Sequence, residues 1–466
     1  MKKLLAKRLY WPRLENVLFH LALILTFLGQ SMLWSARAGW MIIGIIAAKN
    51  IRLAYYASFF YAAFFISSGF ADNLFFTLKH YHIIVVLIFF IEIIHNDHKS
   101  SYQTLGFISK LFMPLSFLLG VGALHVWQTK MEKDELLFIA NILTTGTLSL
   151  IVTLFFSNFL EEKGDYKDLQ IAINYFSLGI ASCVIVALFN LYFNTGYFDN
   201  ISLFHNNHLG FFCNLAFFHT LVLLGIENDL KKKILNFILV FILFLGIISS
   251  CSRTTWISFF IVFILFMAKI YYLRKVNRVD SFWLHKKGFL VFCVMVIAVL
   301  CFFSDNIWER FYNLPQLIDP EYWRYTLNDH QNFGFLGIYR MRDLDLFLEN
   351  MKNHFILGVG FSREIRDMHG LHFVILAGSG ILGYTFFLIF LIRYFLRLQK
   401  IVNTTSNQVI IYIAIACQST WLVWIFTSIM ETFILQFSLW INVVISTIII
   451  FISEQNFANK KEDRLP

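Results

Sequence analysis

Three small groups of residues in this chain could do chemistry. His369 and His372 stand three apart in DMHGLHFVILAGSGILG, just before an apolar stretch that begins at Phe373. An imidazole titrates near neutral pH, so either could take a proton from an attacking hydroxyl. The pair could also share a metal from one helical face. Only Asp367 is near as a third ligand, so no metal is assigned. A structural, hydrogen-bonding histidine is the commoner alternative. Arg253 lies in CSRTTW between two apolar stretches. It could anchor a helix end at a membrane surface, its head snorkelling to water. It could instead bind an anion, with Ser252, Thr254 and Thr255 making the surroundings polar; the planar guanidinium fork suits phosphate. Arg340 and Arg342 open IYRMRDLDLFLENMKNHFILGVG. Asp343 and Asp345 follow, which fits a solvated helix face with local ion pairs. On a helix the two arginines do not share a face, so one could point at a ligand. Leu344, Phe347, Leu348 and Met351 recur with helical period and predict an amphipathic helix at an interface. Gly358 and Gly360 allow a tight turn or a close approach to a ligand.

The elements that must position these residues are apolar. Of 466 residues, 58% are hydrophobic and only 14% are charged, where a soluble domain carries about a quarter. Fifty-five Phe and a mean hydropathy of +0.66 point the same way. The expected fold is all-α and polytopic, because the apolar runs are continuous rather than alternating. About fourteen runs of roughly 16–25 residues are long enough to cross a bilayer. They fall near 16–34, 38–51, 53–70, 81–95, 106–126, 136–159, 170–193, 209–226, 234–251, 255–272, 288–304, 373–392, 409–427 and 431–452.

Charge orients the spans. With the N-terminus in the cytoplasm, Lys2 to Arg13, Lys49, Arg52, Lys163, Lys167, Lys231 to Lys233, Arg274 to Arg278, Arg393 to Lys400 and the tail cations all fall inside. The opposite loops are poor in Lys and Arg; NTGYFDNISLFHNNH has none. The positive-inside rule then gives both termini cytoplasmic and accounts for the net charge of +9 without nucleic acid. Arg253 and the long polar segment 304–372, between the eleventh and twelfth spans, face the outside. A loop of that length is more often functional than a plain connection. The chain divides into N-terminal spans (1–195), core spans (196–303), the large external loop (304–372), C-terminal spans (373–453) and a cytoplasmic tail (454–466). The six cysteines fall in or beside apolar spans, which argues against a disulfide framework. The basic, apolar N-terminus reads as an uncleaved anchor rather than a signal peptide.

Four stretches, in this order, resemble the O-antigen ligase and polymerase superfamily of integral membrane glycosyltransferases. They are FDNISLFHNNHLGFFCNLAFF, with Asn207 in its turn; SSCSRTTWISFFIVFILF; NHFILGVG; and HGLHFVILAGSGILG. The likeness covers roughly residues 195–395. In the family pattern the histidine lies fourteen residues before the last glycine, and counting back from Gly383 reaches His369 rather than His372. The chain departs from the pattern in having Gly370 after that histidine and Gly378 where a glutamate often stands. The resemblance implies a GT-C-like fold at the outer face of a bacterial inner membrane and a metal-independent, inverting reaction with no cofactor. The donor would be an undecaprenyl-diphosphate-linked glycan. His369 would be the catalytic base, and Arg253 with Arg342 or Arg340 would hold the diphosphate. The acceptor would be a second lipid-linked glycan (polymerase) or lipid A-core (ligase), with a chain-length regulator as a candidate partner. The polymerase is favoured on the many spans and the divergent N-terminal half. A lipid-linked oligosaccharide flippase is a different class; the absence of an inverted repeat and the length of the external loop speak against it.

Overall fold

A computed structural model describes residues 14–26, 33–63, 80–95, 106–114, 133–163, 166–194, 206–250, 252–279, 346–352, 354–361, 370–429 and 437–462, with single positions at 117, 120, 297, 301, 304, 308 and 365. The described residues are helices and short turns. They include α1 (Leu14–Thr26), α2 (Leu33–Ala47), α3 (Ile51–Tyr61), α4 (His80–His95), α5 (Lys133–Lys163) and α6 (Lys167–Asn194). The core follows as α7 (Asn206–Ile226), α8 (Leu230–Ser249) and α9 (Arg253–Lys275), then α10 (Leu371–Thr404), α11 (Gln408–Ser428) and α12 (Phe437–Glu462). Residues 106–114 add a further helical stretch between α4 and α5. Six of these helices, α6 to α11, are long and apolar enough to cross a bilayer. The chain is an all-α polytopic membrane protein. Helical residues fall within every expected span, but 53–70 and 106–126 are described only in part, and 288–304 only at single positions.

The centre of the bundle is α7 with α11. For α7, 89% of the apolar window is enclosed, and for α11 78%, against 39% for α9. α7 packs on α6, α8 and α11, and α11 packs in turn on α9, α10 and α12. α3 docks on α6, and α5 on α12, which joins the N-terminal helices to the core. Short connections fix the core's orientation. Asp229 caps α8 by accepting from Lys231 N at 2.9 Å. Asn407 Oδ1 caps α11 by accepting from Val409 N at 3.0 Å. Each cap takes up N–H groups that a helix start leaves unpaired. Hydroxyl and amide contacts gather the starts of α7, α9 and α10 with the ends of α8 and α11 at one end of the core, the upper end. The opposite turns form the lower end.

The N-terminal helices carry polar pins that apolar patterning does not reveal. The Tyr55 hydroxyl donates to buried Glu92, and the Tyr56 hydroxyl donates to Asp168. Arg52 Nε lies 3.4 Å from Asp168 Oδ1 and its guanidinium sits 5.7 Å over the Phe159 ring. A carboxylate inside such a bundle needs a partner of this kind.

Candidate functional site

The site begins at α10, the helix after the expected catalytic loop. Gly380 has φ 63° and ψ −171° and breaks the helix internally. That conformation is open essentially to glycine alone. In an unbroken helix Ile381 N would donate to Ala377 O, and Leu382 N to Gly378 O. The break separates both pairs, and the segment Phe355–Gly360 takes all four groups. Val359 N donates to Ala377 O at 2.8 Å and Gly360 N to Gly378 O at 2.9 Å. Ile381 N donates to Phe355 O at 2.9 Å and Leu382 N to Ile356 O at 3.2 Å. The four groups that the break frees are thus all paired, as an irregular helix at membrane depth requires.

Glycine is required on both sides of this joint. Gly358 (φ 72°) and Gly360 (φ 85°) both sit in the left-handed region. A Cβ on Gly358 would lie 2.5 Å from Ala377 O, and one on Gly380 would lie 2.3 Å from Ile356 O. The close approach expected of Gly358 and Gly360 toward a ligand is therefore made to the backbone of α10. The sequence stretches NHFILGVG and AGSGILG are two halves of one structure. The amphipathic helix expected just upstream is present over 346–352, with Phe347 edge-on to Phe373 at 5.1 Å.

α10 begins on a second constrained glycine. Gly370 has φ 95°, and a Cβ there would stand 2.5 Å from Ile429 O at the end of α11. Two residues on, the half-buried His372 ties the same helices together. Its Nε2 is 2.9 Å from Ser428 Oγ and its Nδ1 is 3.1 Å from the Tyr384 hydroxyl. Ser428 donates its own proton to Ile425 O at 2.9 Å, so it accepts from Nε2–H, and Nδ1 accepts the Tyr384 O–H. Both ring nitrogens are thus engaged by hydroxyls, which suits a positioning role.

A ribbon of small polar groups runs from there to α9. Thr427, next to Ser428, donates to Ser258 Oγ at 3.2 Å, and Ser258 donates to Thr255 O at 2.9 Å. Asn214 Nδ2 on α7 donates to the same Thr255 O at 3.1 Å. Arg253 is the first residue of α9 and is half-buried. Two of its hydroxyl neighbours are engaged in the helix start itself. Ser252 Oγ is the helix cap, accepting from Thr255 N at 3.3 Å, and Thr255 is fully enclosed. Close packing accompanies them, since a Cβ on Gly210 would be 2.5 Å from Ser250 Oγ.

The structure therefore brings the start of α9 with Arg253, the start of α10 with Gly370 and His372, and the Gly358–Gly360 joint into one connected unit. Asn207 lies in the first turn of α7 at the same end. His369, Arg340 and Arg342 lie outside the described residues. Among the described residues no three of His, Cys, Asp and Glu come together as a metal site. Sequence reasoning missed Ser428, Tyr384, Ser258 and Asn214. Asn214 had a signal, since an amide within an apolar helix needs a partner; the others pair across separations that no local pattern reports.

Residues 238–388 match the family model described as O-antigen ligase. The matched region contains Arg253, the glycine joint, His369, His372 and Tyr384. No curated protein sequence matches the chain.

Proposed function

We propose, starting from membership of the O-antigen ligase and polymerase superfamily over residues 238–388, that this membrane enzyme moves a glycan from an undecaprenyl diphosphate carrier to a sugar hydroxyl, and that it polymerises surface-polysaccharide repeat units. The observation that carries the reading is the joint between Phe355–Gly360 and α10. It fastens the end of the long polar loop to the helix that follows His369, at the same end of the core as Arg253. A base and a cation from distant parts of the chain are what a glycosyl transfer with a diphosphate leaving group needs.

In this reading the acceptor oxygen attacks the anomeric carbon of the donor sugar as the carbon–oxygen bond to the diphosphate breaks. His369 takes the acceptor's proton, a role that typically contributes ~10²–10⁴-fold in rate. The polyprenyl diphosphate departs with the bonding pair, and Arg253 with Arg342 or Arg340 meets the growing charge. Attack opposite to the leaving group inverts the anomeric centre. In this reading the end faces outside the cytoplasmic membrane, which the positive-inside pattern supports. The same chemistry with lipid A-core as acceptor would be a ligase, and the match to an O-antigen ligase family favours that second reading.

The surface glycan of a strain lacking the protein separates the two. Single repeat units on lipid A-core indicate a lost polymerase. Bare core with accumulated lipid-linked polymer indicates a lost ligase. An unchanged glycan profile would overturn both.

A further inference from the structure

The lower end of the core holds a cavity of about 370 Å³ between α1, α6, α7 and α8, with a lining unlike the site above. Two helices present the same series of groups into it. On α6, Lys167 is followed by Asn174 and Leu178; on α8, Lys232 is followed by Asn236 and Leu239. Both lysines are exposed, so they stand at the mouth, and the amides lie one to two turns further in. Asn236 is 1% exposed, yet its Oδ1 has no hydrogen-bond donor among the described residues, and neither has Asn174 Oδ1. Two acceptors left open beside one cavity suit a ligand that donates protons, as a hydroxyl does.

Charge and shape narrow the ligand. Glu227 also lines the cavity, with its Oε1 held by Asn228 N and Asp229 N at 3.0 Å each. Two lysines stand against one carboxylate in the lining, which suits an anionic headgroup. Leu235 lines the cavity and is 49% exposed, beside Ile234 and Ile238 on the outer flank of α8. The cavity thus opens toward the apolar surface that faces lipid, where acyl chains could lie while the headgroup enters. We infer that this cavity binds the headgroup of an anionic phospholipid that carries free hydroxyls, of the phosphatidylglycerol type. The phosphodiester sits between Lys167 and Lys232, and the headgroup hydroxyls donate to Asn174 and Asn236. This site is separate from the proposed transfer site: from Gly210 to Glu227 about 25 Å of helix intervenes.

The test uses the purified full chain in detergent, mixed with equimolar phosphatidylglycerol, phosphatidylcholine and phosphatidic acid of matched acyl chains. Native mass spectrometry then reads which lipid is retained. The wild type retains one phosphatidylglycerol in preference to both others. The double variant Lys167→Gln/Lys232→Gln changes two exposed side chains, keeps its thermal midpoint in lipid-free detergent, and loses retention by roughly 25-fold, about five-fold per lysine. Equal retention of phosphatidylcholine, or undiminished retention by the double variant, overturns the site. Phosphatidic acid retained as well as phosphatidylglycerol overturns the hydroxyl assignment. None of these readouts depends on glycosyl transfer, so they stand or fall apart from the proposed function.

Discussion

The two ends of the core are built by different rules. At the upper end helices are joined backbone to backbone and through small hydroxyls: Gly358 and Gly360 against α10, Gly370 against Ile429, Ser428 and Tyr384 on His372. At the lower end the joints are made by long side chains. Arg278 Nη2 donates to Val402 O and Thr405 O, both at 2.9 Å, and Lys269 Nζ donates to Gln399 Oε1 at 3.1 Å. Long side chains reach their partners from many backbone positions, so such joints tolerate change. A backbone joint through glycine has no slack. A geometry fixed this tightly suits the end proposed to hold a loop near a reacting bond, where an error of about 1 Å can cost ~100-fold in rate.

Three substitutions test that contrast, taken from the largest expected effect down. Arg253→Ala should lower glycan transfer by about 10²–10³-fold, the usual loss when a charge-stabilising donor is removed. The protein should still insert and keep its thermal midpoint, because Arg253 stands half-buried at the first turn of α9. Transfer within a few-fold of wild type would reduce Arg253 to a helix anchor.

Gly380→Ala acts on the joint itself. It forces an alanine into φ 63°, ψ −171° and sets its Cβ against Ile356 O. Strain of about 1–3 kcal/mol is expected from the dihedrals alone. The thermal midpoint should fall, and transfer by about tenfold, since each 1.4 kcal/mol of misplaced geometry is worth about that factor. A stable, fully active variant would show that the loop does not depend on the break in α10.

His372→Ala should have the smallest effect at this end, a few-fold in rate with a lowered midpoint, because it frees the Ser428 and Tyr384 hydroxyls rather than the reacting groups. His372→Gln should recover part of the midpoint, since an amide can still bond one of them. A loss as large as that from Arg253→Ala would make His372 the reacting histidine. The lower-end pair Lys167→Gln/Lys232→Gln should leave transfer unchanged.

Much of this architecture was legible in the chain. Long apolar runs gave the helices, and the basic residues near Lys231 and Arg274 gathered at one end of the core as charge patterning predicts. Gly358 and Gly360 announced a close approach, and Arg253 marked a helix start. The break at Gly380 was not legible, because a glycine within an apolar helix reads equally as a packing contact with a neighbour. Its partner lies more than twenty residues upstream, and only the fold shows that the four freed backbone groups and the Phe355–Gly360 segment meet. The same limit hid Ser428 from His372, and Glu92 and Asp168 from Tyr55 and Tyr56. A polar residue in an apolar span signals that it needs a partner, but not which one.

The central claim is that the upper end carries out glycosyl transfer through His369. Purified protein in liposomes with a polyprenyl-diphosphate-linked glycan donor and acceptor measures it directly, by release of polyprenyl diphosphate and growth of the glycan. The account predicts that His369→Ala binds donor as the wild type does, keeps its thermal midpoint, and forms product at least ~100-fold more slowly. Product formed at the wild-type rate would contradict it.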